Sequence, residues 1–363
     1  MPRRCVIVLA GAMLAGLWTG CGENPLPPSP PRKAKTKTTI CLLPRQKGLP
    51  YFTLAAQGAL DAVEGEQGVS LIYDGPTDGS PAKAAAIIET WTGQEVNVVA
   101  VASDDSKAVV DAMIAARKKG LHVIAWDTDV PAGDRELFVS PAAPGDIASA
   151  LIDTLVKDLG SDPNGDVVII TTTEQSDSRN AWITEIKARL SRHAGLKLVA
   201  VKPCNDNEGI SSQAARALLI TPNGSLRAII ALSPSALAGA AEAVRNANLR
   251  EITVPQPATP PGVVETVQAA KKGRQVLLTG VCGPRDARRH ILDGTVKSVV
   301  YWNPEDMGYL TTKVAIAVAK GAPGSGAKTI DAGRLGARAI TGDTVLLGQP
   351  RVFNKDNISM AEF

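Results

Sequence analysis

The sequence predicts an α/β fold with two doubly wound lobes, each built on a parallel sheet. Short runs rich in β-branched residues alternate with helical patterns from about residue 38 onward, and this alternation is typical of parallel strands joined by crossover helices. The same rhythm restarts after residue 140. The length of 363 residues also suits two lobes, since one domain takes about 150 residues.

The first lobe begins with five predicted strands. They are Thr39–Leu43, Leu71–Tyr73, Val96–Val101, His122–Trp126 and Leu137–Val139. Between them, apolar residues recur at the spacing of one helix face in Ala84–Trp91 and Val109–Ala116, and Gly120 supplies a stop after the second of these helices. We expect the first lobe to span residues 38–140 plus about 304–340.

The second lobe repeats the pattern. Its predicted strands are Val167–Ile170, Leu198–Val201, Ala228–Ala231, Val276–Val281 and Val296–Trp302. Its predicted helices include one marked by Ile147, Leu151 and Leu155, then Trp182–Leu190, Ser211–Leu219 and Ala236–Ala247. A helix at Tyr309–Lys320 and strands at Val345–Gln349 and Arg351–Phe353 follow. We expect the second lobe over residues 141–303 plus about 341–363, with an irregular loop at Glu251–Gly262.

The N-terminal segment is predicted to be an export signal of the lipoprotein type. Two arginines precede the apolar run Cys5–Trp18, and small residues lead into Cys21. Cleavage after residue 20 makes residues 1–20 the signal and exposes Cys21 for lipidation. Residues 21–37 are proline-rich and then basic, which indicates an extended tether. The predicted location is the periplasm or cell envelope; a plain secretory signal with an incidental cysteine is the alternative.

The charge and hydropathy of the chain argue against two classes of protein. Lys and Arg total 39 and Asp and Glu total 36, a formal net charge of +3, so the chain lacks the basic footprint of a nucleic-acid-binding protein. No apolar run reaches the roughly 18 residues that a membrane span needs, which excludes a channel or permease.

The sequence also lacks the motifs of common enzymes. The three histidines are not paired at metal-ligand spacing, and no HExxH, GxSxG or GxGxxG motif occurs. Residues 321–329 resemble a P-loop, but Ala327 separates the glycine from the lysine. Three cysteines follow Cys21, an odd number that excludes a complete disulfide framework; whether Cys204 pairs with Cys282 stays open. We expect no enzyme activity, no metal and no cofactor.

Aromatic side chains gather at or just past the carboxyl ends of predicted strands. They are Tyr51, Phe52, Trp126, Tyr301 and Trp302, with Trp182 opening a helix after another strand. Ligands of open α/β sheets bind at this edge, and flat rings pack against the C–H faces of sugars. We assign Tyr301 to the lobe core and the other rings to a ligand cleft, with core packing of all of them as the alternative.

Polar side chains stand beside these rings. Asp127 and Asp129 end a buried strand, where a carboxylate accepts strong hydrogen bonds from sugar hydroxyls; a turn or cap role suits Asp129 equally. Ser178, Arg179 and Asn180 open a helix of the second lobe, and arginine offers a fork of donors to ligand oxygens. A solvated helix-end charge is the alternative for Arg179. An acid–base pair of the two aspartates is the enzymatic alternative, but no other catalytic group accompanies them.

The order and spacing of several motifs resemble one family. The motifs are Leu43-Pro44-Arg45 with Pro50-Tyr51-Phe52, Tyr73–Thr77, Trp126–Asp129, Asn180-Ala181-Trp182, Asp293–Lys297, Trp302-Asn303-Pro304 with Gly308-Tyr309, and Arg351–Ile358. Together they resemble the substrate-binding lipoproteins of bacterial ABC transporters in the type I periplasmic-binding-protein superfamily, in the branch of rhamnose-binding and autoinducer-binding proteins. The resemblance runs from Thr39 to Asn357.

The resemblance implies ligand contacts for Arg45, where lysine is more usual, and for Asp127 as the main hydroxyl acceptor. It implies the same for Ser178 and Arg179. Autoinducer binders carry an acid–amide pair at those last two positions, which disfavours that ligand, and an arginine there is similar to the pentose binders of the wider family.

Further positions follow from the resemblance. The segment after Ala228–Ala231 carries Leu232 and Pro234, Asn303 matches a polar position at the final crossover, and Cys282 stands near a place where sugar binders often have an acid or amide. The predicted ligand-binding set is Arg45, Tyr51, Phe52, Trp126, Asp127, Asp129, Ser178, Arg179, Asn180, Leu232, Pro234, Trp302 and Asn303.

The implied function is that of the substrate-binding component of an ABC importer. Two lobes joined by a three-strand hinge close on a small sugar or sugar-like ligand, and a membrane permease recognises the closed form. The expected partners are this ligand, the permease and the membrane through Cys21, with the protein a monomer that binds no nucleic acid. A ligand-binding receptor for signalling, autoinducer-like or chemosensory, is the alternative on the same fold.

Overall fold

The computed structural model describes residues 37–102, 106–174, 176–220, 225–249, 276–324, 326–361 and 363. The predicted signal, the lipidation site Cys21, nearly all of the tether and the loop Glu251–Gly262 lie outside the described residues, so they stay predictions. Within the described ranges, no helix combines the length and the apolar character that a membrane crossing requires.

Strands and helices alternate along the chain. The strands are β1 (Thr38–Leu43), β2 (Val69–Tyr73), β3 (Val98–Val101), β4 (His122–Trp126), β5 (Phe138–Ser140), β6 (Gly165–Thr171), β7 (Leu196–Pro203), β8 (Leu226–Ala231), β9 (Leu277–Val281), β10 (Ser298–Tyr301), β11 (Thr329–Asp331), β12 (Ala337–Thr341), β13 (Thr344–Leu346) and β14 (Arg351–Asn354). The helices are α1 (Pro50–Val63), α2 (Pro81–Thr92), α3 (Lys107–Lys118), α4 (Pro144–Leu159), α5 (Asp177–Leu190), α6 (Glu208–Leu219), α7 (Pro234–Leu249), α8 (Pro284–Leu292) and α9 (Pro304–Ala319).

Two sheets result, one for each lobe. The first has the order β11-β12-β13-β5-β4-β3-β1-β2, and the second β14-β10-β9-β8-β6-β7. Neighbouring strands are parallel from β2 through β5 to β13, and again from β7 to β10. Antiparallel pairing is confined to the edges formed by β11, β12 and β14. The predicted fold of two parallel-sheet lobes is confirmed.

In the part of the chain that the structure describes, three segments cross between the lobes. The crossings are residues 141–143 between β5 and α4, residues 302–303 between β10 and α9, and residues 347–350 between β13 and β14. The third crossing, at residues 347–350, corrects the boundary between the lobes that we expected near residue 340. Because β13 pairs in parallel with β5, residues up to Leu346 belong to the first sheet.

Both faces of the first sheet are covered by helices. Along β1, Ile40 and Leu42 pack into the core shared with Phe52 of α1, whereas Cys41 and Leu43 pack into a second core on the opposite face. Alternate residues of a strand point to opposite faces, so burial on both sides explains why this run is apolar throughout. Cys41 is fully buried there as a small apolar side chain.

Sequence periodicity missed α1, α8 and the short strands β11 and β12. Both missed helices begin at a proline, and proline in a first turn is a helix-start signal. The helix predicted from Tyr309 begins earlier, at Pro304, because the side chain of Asn303 accepts a hydrogen bond from the backbone N–H of Glu305 and caps it.

Glycine allows α1 and α9 to pack at very short range. A Cβ added at Gly308 would stand 1.8 Å from the carbonyl oxygen of Ala55, and one added at Gly58 would stand 1.8 Å from that of Glu305. Neither neighbour is a flexible side chain that could move aside. This contact fixes α9 to the first lobe directly after the second crossing, and so it positions Trp302 at the site described below.

Gly308→Ala is expected to lower the free energy of unfolding by about 3 kcal/mol or more, since the methyl group forces backbone shifts in a packed interface. Chemical denaturation monitored by circular dichroism measures this change. Gly145→Ala in α4 is the matched control, because its Cβ would meet only a side-chain oxygen of Glu185 at 3.7 Å. Equal stabilities of the two variants would contradict the packing argument.

Candidate ligand-binding site

A cavity of about 220 Å³ lies between the two lobes. The first lobe lines it with Arg45, Leu49, Pro50, Tyr51, Phe52 and Asp127; the second lobe with Arg179, Asp206, Leu232, Ser233, Pro234, Ser235, Val281 and Asp286; and the second crossing with Tyr301 and Trp302. Most of these residues follow the carboxyl ends of β1, β4, β7, β8, β9 and β10. The cavity therefore occupies the sheet edge at which open α/β folds bind ligands.

Aromatic rings form a continuous wall beside the cavity. Tyr51 meets Tyr301 edge-on with ring centres 6.2 Å apart, Tyr301 stacks on Trp302 at 5.1 Å, and Trp302 meets Trp182 edge-on at 6.1 Å. The wall joins both lobes and the second crossing. Tyr301, which we assigned to the core, is well buried and still contributes to the lining.

A hydrogen-bond relay orients the acid of the site. The hydroxyl of Tyr51 donates to Oδ1 of Asp127 at 2.6 Å, and the indole N–H of Trp302 donates to the Tyr51 hydroxyl oxygen at 3.1 Å. Burial, followed by the charge of Asp127, raises the pKa of Tyr51 well above its usual range. Tyr51 therefore remains a neutral donor that holds Oδ1 of Asp127 in place, while Oδ2 accepts a hydrogen bond from the Thr128 hydroxyl at 3.4 Å.

Asp127 combines an unusual backbone with an unusual environment. Its φ of 63° is left-handed, a conformation that aspartate tolerates better than most residues. Burial raises the pKa of its carboxyl group, while the Tyr51 hydrogen bond and the guanidinium groups of Arg179 and Arg45 act in the opposite direction. A carboxylate that has lost water and lies beside donors is a strong acceptor for ligand hydroxyls.

Two arginines approach the cavity from opposite lobes. Arg45 follows β1, and its Nη1 and Nη2 lie 3.4 and 3.3 Å from one oxygen of Asp206, in the turn after β7. Arg179, in the first turn of α5, lies over the ring of Trp182 with its Cζ 4.0 Å from the ring centre. Stacking of this kind fixes the plane of the guanidinium group beside the cavity.

A second, larger cavity of about 400 Å³ lies on the hinge side and shares Asp127 with the first. Asp129 and Ser178 line it rather than the first cavity. Both carboxylate oxygens of Asp129 accept hydrogen bonds from the buried Arg135, at 2.5 and 2.7 Å, and the Ser178 hydroxyl accepts the backbone N–H of Asp129 at 3.3 Å. Asp129 is therefore already paired, whereas Arg45, Asp127, Arg179 and Asp206 line the smaller cavity.

Five predicted site residues do not line the smaller cavity: Asp129 and Ser178, which line the larger one, and Trp126, Asn180 and Asn303. The ring of Trp126 is fully buried, with its N–H donating to the carbonyl of Leu43, so it is core rather than cleft. Asp129 holds Arg135, the structural role weighed as its alternative. Asn180 is exposed and donates to the carbonyl of Glu174, and Asn303 caps α9. The predicted residues that the structure brings together in the smaller cavity are Arg45, Tyr51, Phe52, Asp127, Arg179, Leu232, Pro234 and Trp302.

Sequence reasoning missed Asp206 and Asp286. Asp206 stands in a turn where Asn205 and Asp206 both have positive φ, at 51° and 53°, and Asn207 then caps α6 through its side chain. The signal was present, because three consecutive Asn and Asp residues after a strand mark a turn at the ligand edge. Asp286 lies in the first turn of α8, a helix that the periodicity did not reveal.

The open question about the cysteines is settled. Cys204 and Cys282 are free and buried, and the thiol of Cys204 donates to the carbonyl of Thr171 at 2.8 Å. Burial raises the pKa of the Cys282 thiol, so it stays protonated. Among the described residues, no group of His, Cys, Asp and Glu side chains has the arrangement of a metal site.

Comparisons with known proteins agree with this architecture. A sugar ABC transporter structure from Actinomyces odontolyticus is 27% identical, with a TM-score of 0.69 over 90% of this chain and 98% of that one. LsrB from Clostridium saccharobutylicum, in complex with AI-2, is 22% identical, with a TM-score of 0.73 over 90% of this chain and 100% of that one. An ABC transporter solute-binding protein from Clostridium phytofermentas with bound L-rhamnose is 22% identical, with a TM-score of 0.73 over 90% of this chain and 98% of that one.

The likeness to the two clostridial proteins concerns the fold. The family comparison reaches further, because a model of the periplasmic binding protein domain matches residues 40–323, well over half of the chain. The matched segment contains both sheets up to β10, two of the three crossings and the whole lining of the smaller cavity. The chain belongs to the periplasmic binding protein family.

Proposed function

We propose that this protein is the extracytoplasmic substrate-binding component of an ABC importer, and that it binds a small sugar or sugar-like ligand in the 220 Å³ cavity. One observation carries the proposal. A half-buried carboxylate, Asp127, shares a cavity with two guanidinium groups and lies beside a wall of aromatic rings, at the facing carboxyl edges of two sheets. Rings supply apolar contact for C–H faces, and the charged groups orient hydroxyls.

The proposed mechanism is closure of the lobes on the ligand. Several contacts join the lobes at the cavity, among them the Arg45–Asp206 ion pair and the hydrogen bond from Trp302 to Tyr51. A ligand that touches both lobes adds to these contacts only in the closed form, so it shifts the population toward closure. The permease then distinguishes loaded from empty protein by shape, and no chemical step is required.

The comparisons support this class of ligand. One solved structure with a similar fold holds L-rhamnose, and the protein from Actinomyces odontolyticus is described as a sugar ABC transporter. The LsrB structure holds AI-2. The family resemblance implies that autoinducer binders carry an acid and an amide at the positions of Ser178 and Arg179. This chain has neither, and we therefore favour a sugar over an autoinducer as the ligand.

Asp127→Asn is expected to weaken ligand binding by about 1.5–3 kcal/mol, or about tenfold to a hundredfold, because a charged acceptor is replaced by a neutral one. Isothermal titration of the purified protein with L-rhamnose, D-arabinose, D-allose and D-galactose measures the affinity. Asp61→Asn, an exposed change on α1, serves as the control. Undiminished binding in Asp127→Asn would remove this residue from the proposed site.

Binding is expected to depend on pH through Asp127. Ligand hydroxyls donate to the ionised carboxylate, so affinity is full above its pKa and falls as the pH drops through it. Since burial raises this pKa, the fall begins at a higher pH than for an ordinary aspartate, whose pKa is about 4. Titration calorimetry across an acidic pH series measures the dependence, and Asp127→Asn should flatten it.

Tyr51→Phe is expected to move this pH dependence upward. The Tyr51 hydrogen bond lowers the pKa of Asp127, so its loss lets the pKa rise further and the affinity fall earlier on acidification. Tyr309→Phe, in the first lobe but outside the cavity lining, is the matched control. A shift toward lower pH, or the same shift in both variants, would refute the relay.

We also propose that a lipid on Cys21 holds the protein at the membrane, which keeps the binding lobes close to the permease on a proline-rich tether. Cys21→Ser is expected to move the protein from the membrane pellet to the supernatant after ultracentrifugation of cell extracts. Cys5→Ser, which removes a cysteine within the predicted signal, should leave the distribution unchanged. Membrane retention of Cys21→Ser would disprove the anchor.

A further inference from the structure

We propose that Asp206 is a ligand-contacting, specificity-determining residue, which accepts a ligand hydroxyl on one carboxylate oxygen while the other holds Arg45, and which excludes anionic sugars from the cavity. The inference rests on the function proposed above and extends it to a residue that neither the motifs nor the family resemblance singled out. Its starting point is how the two oxygens of this carboxylate are used.

The two oxygens of Asp206 differ in their surroundings. Oδ2 accepts both contacts from the guanidinium of Arg45, at 3.4 and 3.3 Å. Oδ1 is buried and has no hydrogen-bond partner among the described residues, although the residue lines the cavity. A buried carboxylate oxygen without a donor is costly, and a ligand hydroxyl in the cavity is a donor that would relieve this cost.

The backbone around Asp206 holds the carboxylate at this place. The turn passes through two consecutive left-handed residues, and it is closed by backbone hydrogen bonds from Cys204 and Asn205 to the carbonyl of Thr172. Asn207 caps α6 immediately afterwards. A residue in a strained turn fixed on both sides is pre-organised for one geometry, which suits a specificity determinant better than a mobile surface charge.

The charge of the lining decides which ligands enter. Among the described residues of the lining, two guanidinium groups accompany three carboxylates, those of Asp127, Asp206 and Asp286, so these groups carry one formal negative charge in excess. Arg45 is paired with Asp206, and Arg179 acts on the charge of Asp127. A ligand carboxylate would be repelled by this excess negative charge and would compete with Asp206 for Arg45. A neutral polyol donates hydrogen bonds from its hydroxyl groups to the carboxylates without this repulsion.

The test compares neutral sugars with their acids. Isothermal titration of the full chain uses the neutral sugars named above together with two matched pairs, D-glucose and D-glucuronate, and D-galactose and D-galacturonate, in which the acid keeps the sugar ring. The unsubstituted protein is expected to bind a neutral sugar and to bind acids at least about a hundredfold more weakly. Asp206→Asn should weaken binding of the neutral sugar by about tenfold or more. It should also reduce the ratio of the affinity for the neutral sugar to the affinity for its acid.

Two features keep this test decisive. Asparagine favours left-handed backbone, so the turn at residue 206 should survive, and thermal unfolding checks this. Asp153→Asn is the matched control, since it breaks an exposed Asp–Arg pair at 3.1 Å to Arg189, away from the cavity. A residue that only latched the lobes would weaken neutral and acidic ligands equally, which would leave their ratio unchanged.

The outcomes separate the inference from the function on which it rests. Binding of a neutral sugar that Asp206→Asn leaves unchanged, an unaltered ratio of neutral to acidic affinity, or a preference of the unsubstituted protein for an acid would each overturn the role of Asp206 alone. If no sugar or sugar acid binds the unsubstituted protein, the proposed function fails, and the role of Asp206 falls with it.

Discussion

The site depends on the three crossings that tie the lobes together. Because the central strands of each sheet run in parallel, their carboxyl ends lie at one edge, and the crossings at residues 141–143, 302–303 and 347–350 turn these two edges toward each other. Side chains that are far apart in sequence, such as Arg45 and Asp206, thereby meet across the cleft. The tight contact of α9 with α1 then holds the second crossing, which carries Trp302, against the first lobe.

Charge inside this cleft is arranged in opposed pairs. Arg45 faces Asp206, Arg179 lies near Asp127, and Arg135 neutralises Asp129 and Asp343 on the hinge side. An unpaired charge in such a place would carry a large desolvation cost. The pairs therefore offset the desolvation of these charges, and we propose that the remaining carboxylate oxygens accept hydrogen bonds from the ligand. The distinction between acids that serve structure and acids that face the cavity follows from which of their oxygens are already used.

Most of the architecture and about half of the site were accessible from sequence. Alternating β-rich runs and helical spacing located the strands of both sheets, since buried parallel strands are apolar throughout, as in Ile40–Leu43. Asp127, which directly follows β4, and Leu232, which the family resemblance added, both line the cavity, and their contact with a ligand stays a prediction. The prediction failed where one residue type serves two roles, as with Trp126, whose ring turns into the core, and Asn303, which caps a helix.

The amino-acid sequence by itself determined the order of the elements, the two-lobed class and the edge at which polar and aromatic residues gather. These features depend on periodicity and on the local chemistry of turns, which short segments carry. Only the tertiary structure decided which of these residues share a cavity. Asp206 forms an ion pair with Arg45 of the opposite lobe, whereas Asp129 forms an ion pair with Arg135. The physical reason is that a side chain's partners are set by how strands pair and lobes face each other, and this information is distributed over contacts between distant parts of the chain.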